Sequence, residues 1–162
     1  MLVGVYALVA RGELSPDSPV HVRNRFTSVV DGKPFAIVPG PMDAELAKHE
    51  GRTMSVHDLA YEMITKSSNL ATNLLIDVVG IDTIKKCLEE LRIDGIVMVR
   101  GVQDETAFQA GINNLVTANA VLRLLRMIAD FPTMAIEIMR VLAHRLEHTN
   151  AQLREAVAQQ CD

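Results

Sequence analysis

A polar corner between two apolar helical segments constrains this sequence more than any other feature. Residues 63–76 are Met-Ile-Thr-Lys-Ser-Ser-Asn-Leu-Ala-Thr-Asn-Leu-Leu-Ile. Before the corner, apolar residues keep helical spacing behind Ser55 and Asp58, which have the spacing of a helix-capping pair. After it, the same period resumes until Gly80, a residue type that commonly ends helices. The sequence therefore predicts two helices that meet at a Ser-Ser-Asn turn.

The residues alone leave two interpretations of this corner open. Serine and asparagine are favoured at helix ends, because their side chains bond to backbone groups that lack helical partners. The corner would then be a set of helix caps. Alternatively, Ser67 and Asn69 serve a chemical role, which would explain why polar side chains interrupt two apolar helices.

The longer string around Ser67 resembles the Ser-x-Asn element of the class A β-lactamases and related penicillin-recognising serine hydrolases. Residues 26–33 are similar to a hairpin that precedes this element in one branch of the family. Residues 100–114 are similar to that branch's loop on the far side of the active site, and residues 117–125 match the helix that follows. The resemblance covers about residues 1 to 128, and ordered matches are more specific than one short motif.

The resemblance implies a fold that is mainly α with a small β-hairpin. Such a fold is the helical subdomain of the β-lactamase and transpeptidase-like α/β fold, without most of its sheet. Turn residues agree with it, since they predict a hairpin from Val20 to Val38 with its turn at Asp31-Gly32. We expect residues 1–130 to form this partial β-lactamase-like domain and residues 131–162 to form a long C-terminal helix.

Two motifs of the family do not occur in this sequence. The nucleophilic serine of these enzymes lies in Ser-x-x-Lys at the start of a helix, and no serine here has a lysine three residues later. The apolar stretch from Leu2 to Val9 resembles that helix without its first turn. Lys-Thr-Gly does not occur either. We therefore expect an inactive fragment, a fusion product or one piece of a split reading frame.

The resemblance assigns roles to residues that match the family's motifs. Ser67 resembles the hydroxyl that relays a proton between the catalytic lysine and the leaving β-lactam nitrogen, and a hydroxyl suits this because it donates and accepts. Asn69 resembles the amide that binds the substrate's acylamide group. Asn73 is expected to support the corner and, with Asn69, to bind the substrate. Ser68 stands where the family usually has aspartate.

The resemblance also implies that the loop of residues 100–114 supplies a glutamate that activates water for hydrolysis of the acyl-enzyme. Gln103 stands where the related branch often has glutamate, and a glutamine cannot act as a general base. Glu105 is the nearest acid of the right length. Asp104 and Glu105 are equally well explained as solvated loop acids.

Composition argues against several other functions. The net charge is −4 without a basic stretch, which disfavours nucleic acid as a partner. Cys87 and Cys161 form no disulfide framework, and Cys87 is expected to face the core. The apolar residues 1–10 are too few to span a membrane and lack the basic start of a signal peptide, although the resembled family is exported. No cofactor is expected, and the localisation stays open.

Residues 132–158 support an alternative, non-catalytic function. Residues 135–150 are similar to the closing helix of a cyclic-nucleotide-binding regulator domain, where such a helix serves dimerisation, but the nucleotide-binding cassette is absent. The chain would then be a scaffold or homodimerisation module. Apolar or small residues repeat at alternating steps of three and four, as in paired helices: Met139, Leu142, Leu146, Thr149, Leu153 and Ala156.

The same segment contains a pattern known from some zinc peptidases. Residues 144–148 fit H-x-x-E-H, and histidines four residues apart share a helix face and can both reach a metal. The third ligand of that pattern comes from a helix far downstream. Leu146 also belongs to the apolar repeat, so we expect His144 and His148 to lie on a solvated helix face and predict no metal site.

Overall fold

Seven α-helices and six short strands make up residues 1–129, which are the residues that this computed structural model describes. The helices are α1 (Leu2–Ala10), α2 (Ala44–Ala47), α3 (Val56–Thr65), α4 (Asn69–Val79), α5 (Ile81–Glu90), α6 (Glu105–Gln109) and α7 (Ala118–Ala129), and a 3-10 turn spans Pro41–Asp43. The strands are β1 (Pro19–His21), β2 (Phe26–Thr27), β3 (Pro34–Phe35), β4 (Thr53–Ser55), β5 (Ile96–Val97) and β6 (Leu115–Val116). Contacts divide the chain into Met1–Leu124 and Leu125–Asp162, and the account below concerns the first of these units.

The strands of the described region pair into three separate antiparallel sheets of two strands each. Strand β2 pairs with β3 to form the hairpin, with Phe26 opposite Phe35, and β5 pairs with β6. Strand β1 pairs instead with β4, so that Val20 lies opposite Met54. The predicted hairpin from Val20 to Val38 is therefore too long, because Val20 belongs to another sheet. The described region is about half helical with small antiparallel sheets, which agrees in part with the expected class.

The hairpin turn lies where the sequence predicts it. Gly32 has φ of +67°, a left-handed conformation that glycine adopts without steric cost. Its N–H donates to the Ser28 carbonyl at 3.1 Å, and the Ser28 N–H donates to the Lys33 carbonyl at 2.9 Å. These bonds fix the end of the hairpin, next to which the loop of residues 100–114 is attached.

Helix α4 lies at the centre of an aliphatic core. It packs against α1, α3 and α5, and it contributes three of the most deeply buried leucines. The leucines of α3 and α4 that are at most 1% exposed are Leu59, Leu70, Leu74 and Leu75. Cys87 on α5 faces the core, as expected. Because α4 is buried along its length, the residues at its first turn have a rigid support.

Several predictions concern residues that lie outside the described part of the chain. These are the helix of residues 131–162, pairing of two chains through residues 132–158, and the histidine pair of residues 144–148. Among residues 1–129, no helix is both long and apolar enough to cross a membrane. In the same residues, His, Cys, Asp and Glu side chains form no group that could hold a metal ion.

Candidate active site

The corner between α3 and α4 is held by backbone bonds to Glu62. The N–H groups of Lys66 and Ser68 both donate to the main-chain oxygen of Glu62, at 3.1 and 3.3 Å. Ser67 lies between them with φ of +57°. A helix end of this kind usually has glycine at the left-handed position, because a side chain there costs roughly 1–3 kcal/mol. The chain thus keeps a hydroxyl at a position where glycine would be more stable.

Ser68 caps α4 and is bonded to a buried carboxylate. Its Oγ accepts from the Ala71 N–H at 3.0 Å and donates to Asp43 Oδ1 at 2.7 Å. The same oxygen of Asp43 accepts from the Leu70 N–H at 3.0 Å. Ser68 and Asp43 are both buried. The cap interpretation of the corner is therefore correct for Ser68, and Asp43 provides a second cap that the sequence analysis did not identify.

Ser67 and Asn69 differ from Ser68 in having open side chains. Neither side chain has a hydrogen-bond partner among residues 1–129, and both residues are partly exposed. The cap interpretation therefore accounts for neither of these two side chains. Within the described residues, the corner therefore presents one hydroxyl and one amide that make no side-chain hydrogen bond.

Asn73 lies one helical turn after Asn69 and is buried. Its Nδ2 donates to the Val102 carbonyl at 2.9 Å, and its Oδ1 accepts from the Val102 N–H at 2.7 Å. The amide thereby clamps the loop of residues 100–114 to the helix that begins at the corner. This pairing is a scaffold contact, and contact between Asn73 and a substrate stays a prediction.

Side chains at the two ends of this loop close it. Asn114 Oδ1 accepts from the Val99 N–H at 2.8 Å, and Asn114 Nδ2 donates to the Arg100 carbonyl at 3.0 Å. Arg100 Nε donates to the Ile112 carbonyl at 2.8 Å, and its guanidinium lies 5.8 Å from the centre of the Phe108 ring. The loop is therefore fixed at its ends by Arg100 and Asn114 and in between by Asn73.

Asp104 is a buried structural acid. Its Oδ1 accepts from Ser28 Oγ at 2.9 Å and from the Ala107 N–H at 3.0 Å, and its Oδ2 accepts from the Val29 N–H at 3.2 Å. Only 1% of Asp104 is exposed, so its interpretation as a solvated loop acid is wrong. The carboxylate caps α6 and joins the loop to the hairpin.

Gln103 and Glu105 are the two candidates for the water-activating position, and both are exposed. Gln103 has φ of +59°, and its Oε1 accepts from the Val38 N–H at 2.9 Å. Glu105 accepts from Gln109 Nε2 at 3.2 Å along the short helix α6. Within the described residues, no hydrogen bond joins either side chain to the corner. A role of Glu105 in hydrolysis stays a prediction.

Two aspartates on the helices of the corner have pKa values shifted in opposite directions. The Ser55 hydroxyl donates to Asp58 at 2.7 Å and lowers the pKa of that carboxyl at the start of α3. Near the end of α4, burial raises the pKa of Asp77, and Arg23 opposes this effect from 2.6 Å. The helix cap predicted at Ser55 is confirmed, since its Oγ accepts from the Asp58 N–H at 3.0 Å.

Several solved structures, including the following three, have a fold similar to this chain. A β-lactamase from Xanthomonas campestris pv. campestris has a TM-score of 0.67 at 20% identity, over 88% of this chain and 51% of that one. A PBP-A variant in an acyl-enzyme complex with penicillin G has a TM-score of 0.66 at 18% identity, over 88% of this chain and 50% of that one. A representative class A β-lactamase from Bacteroides cellulosilyticus has a TM-score of 0.57 at 21% identity, over 89% of this chain and 49% of that one.

At these identities the structures show a shared fold, and this chain spans about half the length of each. No curated protein matches the chain. A family model described as the beta-lactamase enzyme family matches residues 1–160. The match includes residues 135–150, whose similarity to a cyclic-nucleotide-binding regulator is not shown by these relatives. The chain therefore belongs to the beta-lactamase enzyme family.

Proposed function

We propose that this chain carries the helical part of a class A β-lactamase-like serine active site. The substrate class is a β-lactam, and the reaction is attack of a serine on the β-lactam amide followed by hydrolysis of the acyl-enzyme. The observation that carries the proposal is the contrast within the corner. Ser68 and Asn73 are buried and fully bonded, whereas Ser67 and Asn69 have side chains without partners among the described residues.

Strain at Ser67 supports this assignment. A left-handed serine costs roughly 1–3 kcal/mol, and such residues persist where the surrounding structure holds them for a purpose. Here the bonds on either side of Ser67 hold it, while its own hydroxyl contributes no bond within residues 1–129. Glycine would satisfy the backbone equally well, so the hydroxyl itself is the group that needs explaining.

The chemistry of the two open groups fits acyl transfer to a serine. When the β-lactam C–N bond breaks, the ring nitrogen must gain a proton. Ser67 Oγ can donate its proton to that nitrogen and accept one from a neighbouring lysine, since a hydroxyl is both donor and acceptor. The Asn69 amide can bond to the acylamide of the substrate. The nucleophile and its lysine, which belong to Ser-x-x-Lys, are not in this sequence.

Hydrolysis of the acyl-enzyme needs a general base, and neither candidate in the loop of residues 100–114 is well suited to this role. Gln103 cannot act as a general base, and its Oε1 is already bonded to the Val38 N–H. Glu105 is exposed and bonded to Gln109. We therefore propose that a complete site built on this half forms an acyl-enzyme faster than it hydrolyses one.

The first test uses the 162-residue chain itself. We expect purified chain to show no turnover of a chromogenic cephalosporin, because the sequence contains neither Ser-x-x-Lys nor Lys-Thr-Gly. Turnover that Ser67→Ala abolishes would contradict this expectation. It would mean that a nucleophile other than the family's serine operates in this chain.

The second test uses the flanking coding DNA, sequenced and expressed in frame with this chain. If the extended product contains both motifs, Ser67→Ala should slow its acylation by penicillin by about 10²–10⁴-fold, the usual contribution of a positioned acid–base group. Ser15→Ala is the matched control, because Ser15 is exposed and the one hydrogen bond of its hydroxyl within residues 1–129 is accepted from the Asp17 N–H. Acylation of Ser67→Ala at the unsubstituted rate would refute the proton relay, and flanking DNA without the motifs would refute the catalytic proposal.

A further inference from the structure

Glu62 is a largely buried acid on the last turns of α3. Its side chain is 12% exposed, and its Oε1 accepts from Lys66 Nζ at 2.8 Å. Its Oε2 is buried and has no hydrogen-bond partner among residues 1–129. A buried polar atom without a partner is costly to the fold, so each such atom calls for an explanation. The unpartnered oxygen marks Glu62, five residues before Ser67, as an acid that the fold holds in the interior next to the corner.

The Glu62–Lys66 pair differs from the other ion pairs of the described region in its burial. The Glu45–Lys48 pair has similar geometry at 2.7 Å, but both of its side chains are more than 60% exposed. Exposed pairs add little to stability and do not hold their side chains in one place. A pair with a buried acid has fewer conformations available, and it therefore restricts the lysine that directly precedes Ser67.

Glu62 contacts the chain on both sides of Ser67. Its main-chain oxygen accepts from the N–H groups of Lys66 and Ser68, and its carboxylate binds the Lys66 ammonium. Lys66 is thus tied to Glu62 at both its backbone and its side chain. With the last turn of α3 unable to fray, the chain reverses at Ser67 and at no earlier residue. We propose that Glu62 is a positioning residue for Ser67 and acts through Lys66, an inference that rests on the function proposed for Ser67.

A double substitution separates positioning from stability. Replacing a buried ion pair by apolar residues of similar volume is often neutral for stability, whereas removing one partner leaves an uncompensated charge. We therefore choose Glu62→Met together with Lys66→Met, which keeps the side-chain length of Glu62 and shortens that of Lys66 by one atom. The matched control is Asp82→Met with Lys85→Met, which removes an exposed ion pair on α5, because Glu45 also acts electrostatically on Lys66.

The experiment measures amide hydrogen exchange and carbon chemical shifts of the full 162-residue chain by NMR. In the double variant, the Ser68 N–H should exchange about tenfold faster or more, because the corner opens locally. The Ser67 Cα and Cβ shifts should move away from left-handed values. Core amides such as those of Leu74 and Leu75 should keep their exchange rates, and the control variant should leave Ser68 unchanged.

Two results would overturn the proposal. Unchanged Ser68 exchange and Ser67 shifts in the double variant would mean that the side-chain pair does not position the corner. Equal acceleration of Ser68 and of the core amides would mean that the pair only stabilises the fold. No turnover is needed for this measurement. If Ser67→Ala leaves acylation of the extended product unchanged, the proton relay fails while the exchange result stands by itself.

Discussion

At the scale of single residues, Ser67 and Ser68 have the same side chain in two different environments. Ser68 has φ of −62° and ψ of 120°, the extended conformation of a helix N-cap, and its hydroxyl bonds to Asp43. Ser67 has φ of +57°, and its hydroxyl has no partner in the described part of the chain. Backbone conformation, held by the bonds to Glu62, therefore decides which serine hydroxyl caps α4 and which has no partner among the described residues.

Asn69 and Asn73 allow a matched comparison at this scale. Asn73→Ala should lower the free energy of unfolding by about 2–3 kcal/mol, because both polar groups of the Val102 backbone lose their partner. Asn69→Ala should change it by less than about 0.5 kcal/mol, since its side chain makes no hydrogen bond within residues 1–129. Urea unfolding of the two variants measures both values. Equal effects would show that the Asn73 clamp does not hold the loop.

At the scale of elements, the hairpin, the loop of residues 100–114 and α4 are joined by side chains. Asp104 binds the hairpin at Ser28, Gln103 binds the Val38 N–H beyond the hairpin, and Val102 is bound by Asn73 of α4. Hydrogen bonds at three consecutive loop residues leave little freedom for the backbone of this segment. The loop is therefore held as firmly as a regular element, although it contains only the short helix α6.

At the same scale, we predict the effect of adding a side chain at Gly95, which lies in the turn before β5. It has φ of +87°, and a Cβ added there would collide with Thr117 Oγ1, the hydroxyl that caps α7. Gly95→Ala should destabilise the chain by about 3 kcal/mol, from backbone strain and overpacking together. Gly12→Ala is the control, because Gly12 has φ of +72° with open space around it, and it should cost only about 1–2 kcal/mol. Similar unfolding midpoints for the two variants would exclude the collision.

At the scale of the whole molecule, Asp58 and Asp77 should affect the pH dependence of stability in opposite ways. The lowered pKa of Asp58 contributes stability that is present above its ordinary value of 3.8 and is lost as pH falls through the lowered value. The raised pKa of Asp77 contributes stability that is present below 3.8 and is lost as pH rises through the raised value. Both carboxyls are partly solvated, so the sign of each effect is the prediction.

Urea unfolding across the acid range tests these signs. Asp58→Asn should reduce the loss of stability below pH 3.8, and Asp77→Asn should reduce the loss above it. The slopes are compared within each variant, because Asp77→Asn also removes the charge pair with Arg23. Slopes that change on the same side of pH 3.8 in both variants would contradict the opposed shifts.

Much of the local structure could be predicted from the sequence. The cap at Ser55, the break between α3 and α4, the helix end at Gly80 and the turn at Asp31-Gly32 all occur where the residues predict them. Each depends on hydrogen bonds or conformational preferences within a few residues of one another. The family assignment also came from the sequence, since its motifs are local strings in a fixed order.

Contacts between residues far apart in the sequence could not be predicted from a local pattern. No pattern in the sequence indicated that Asp43 bonds to Ser68. Asp104 lies in a polar loop sequence that predicts a solvated acid, but in the structure it is buried and accepts from Ser28. Val20 is a residue type suited to the predicted hairpin, but its strand partner is Met54, which lies far along the sequence beyond the hairpin. The residue types alone do not show that the Ser68 hydroxyl is hydrogen-bonded and that the Ser67 hydroxyl has no partner among the described residues.

The sequence by itself therefore determined the helices on either side of the corner, the hairpin turn and the family, because periodicity and capping act over a few residues. Only the tertiary structure decided which polar side chains form hydrogen bonds within the fold. Whether a polar group is bonded depends on which distant backbone and side-chain groups meet it when α4 is buried. Loop closure brings such residues together, and their separation along the chain follows no regular period. The open pair, Ser67 and Asn69, became recognisable only after the bonds of Ser68 and Asn73 were known.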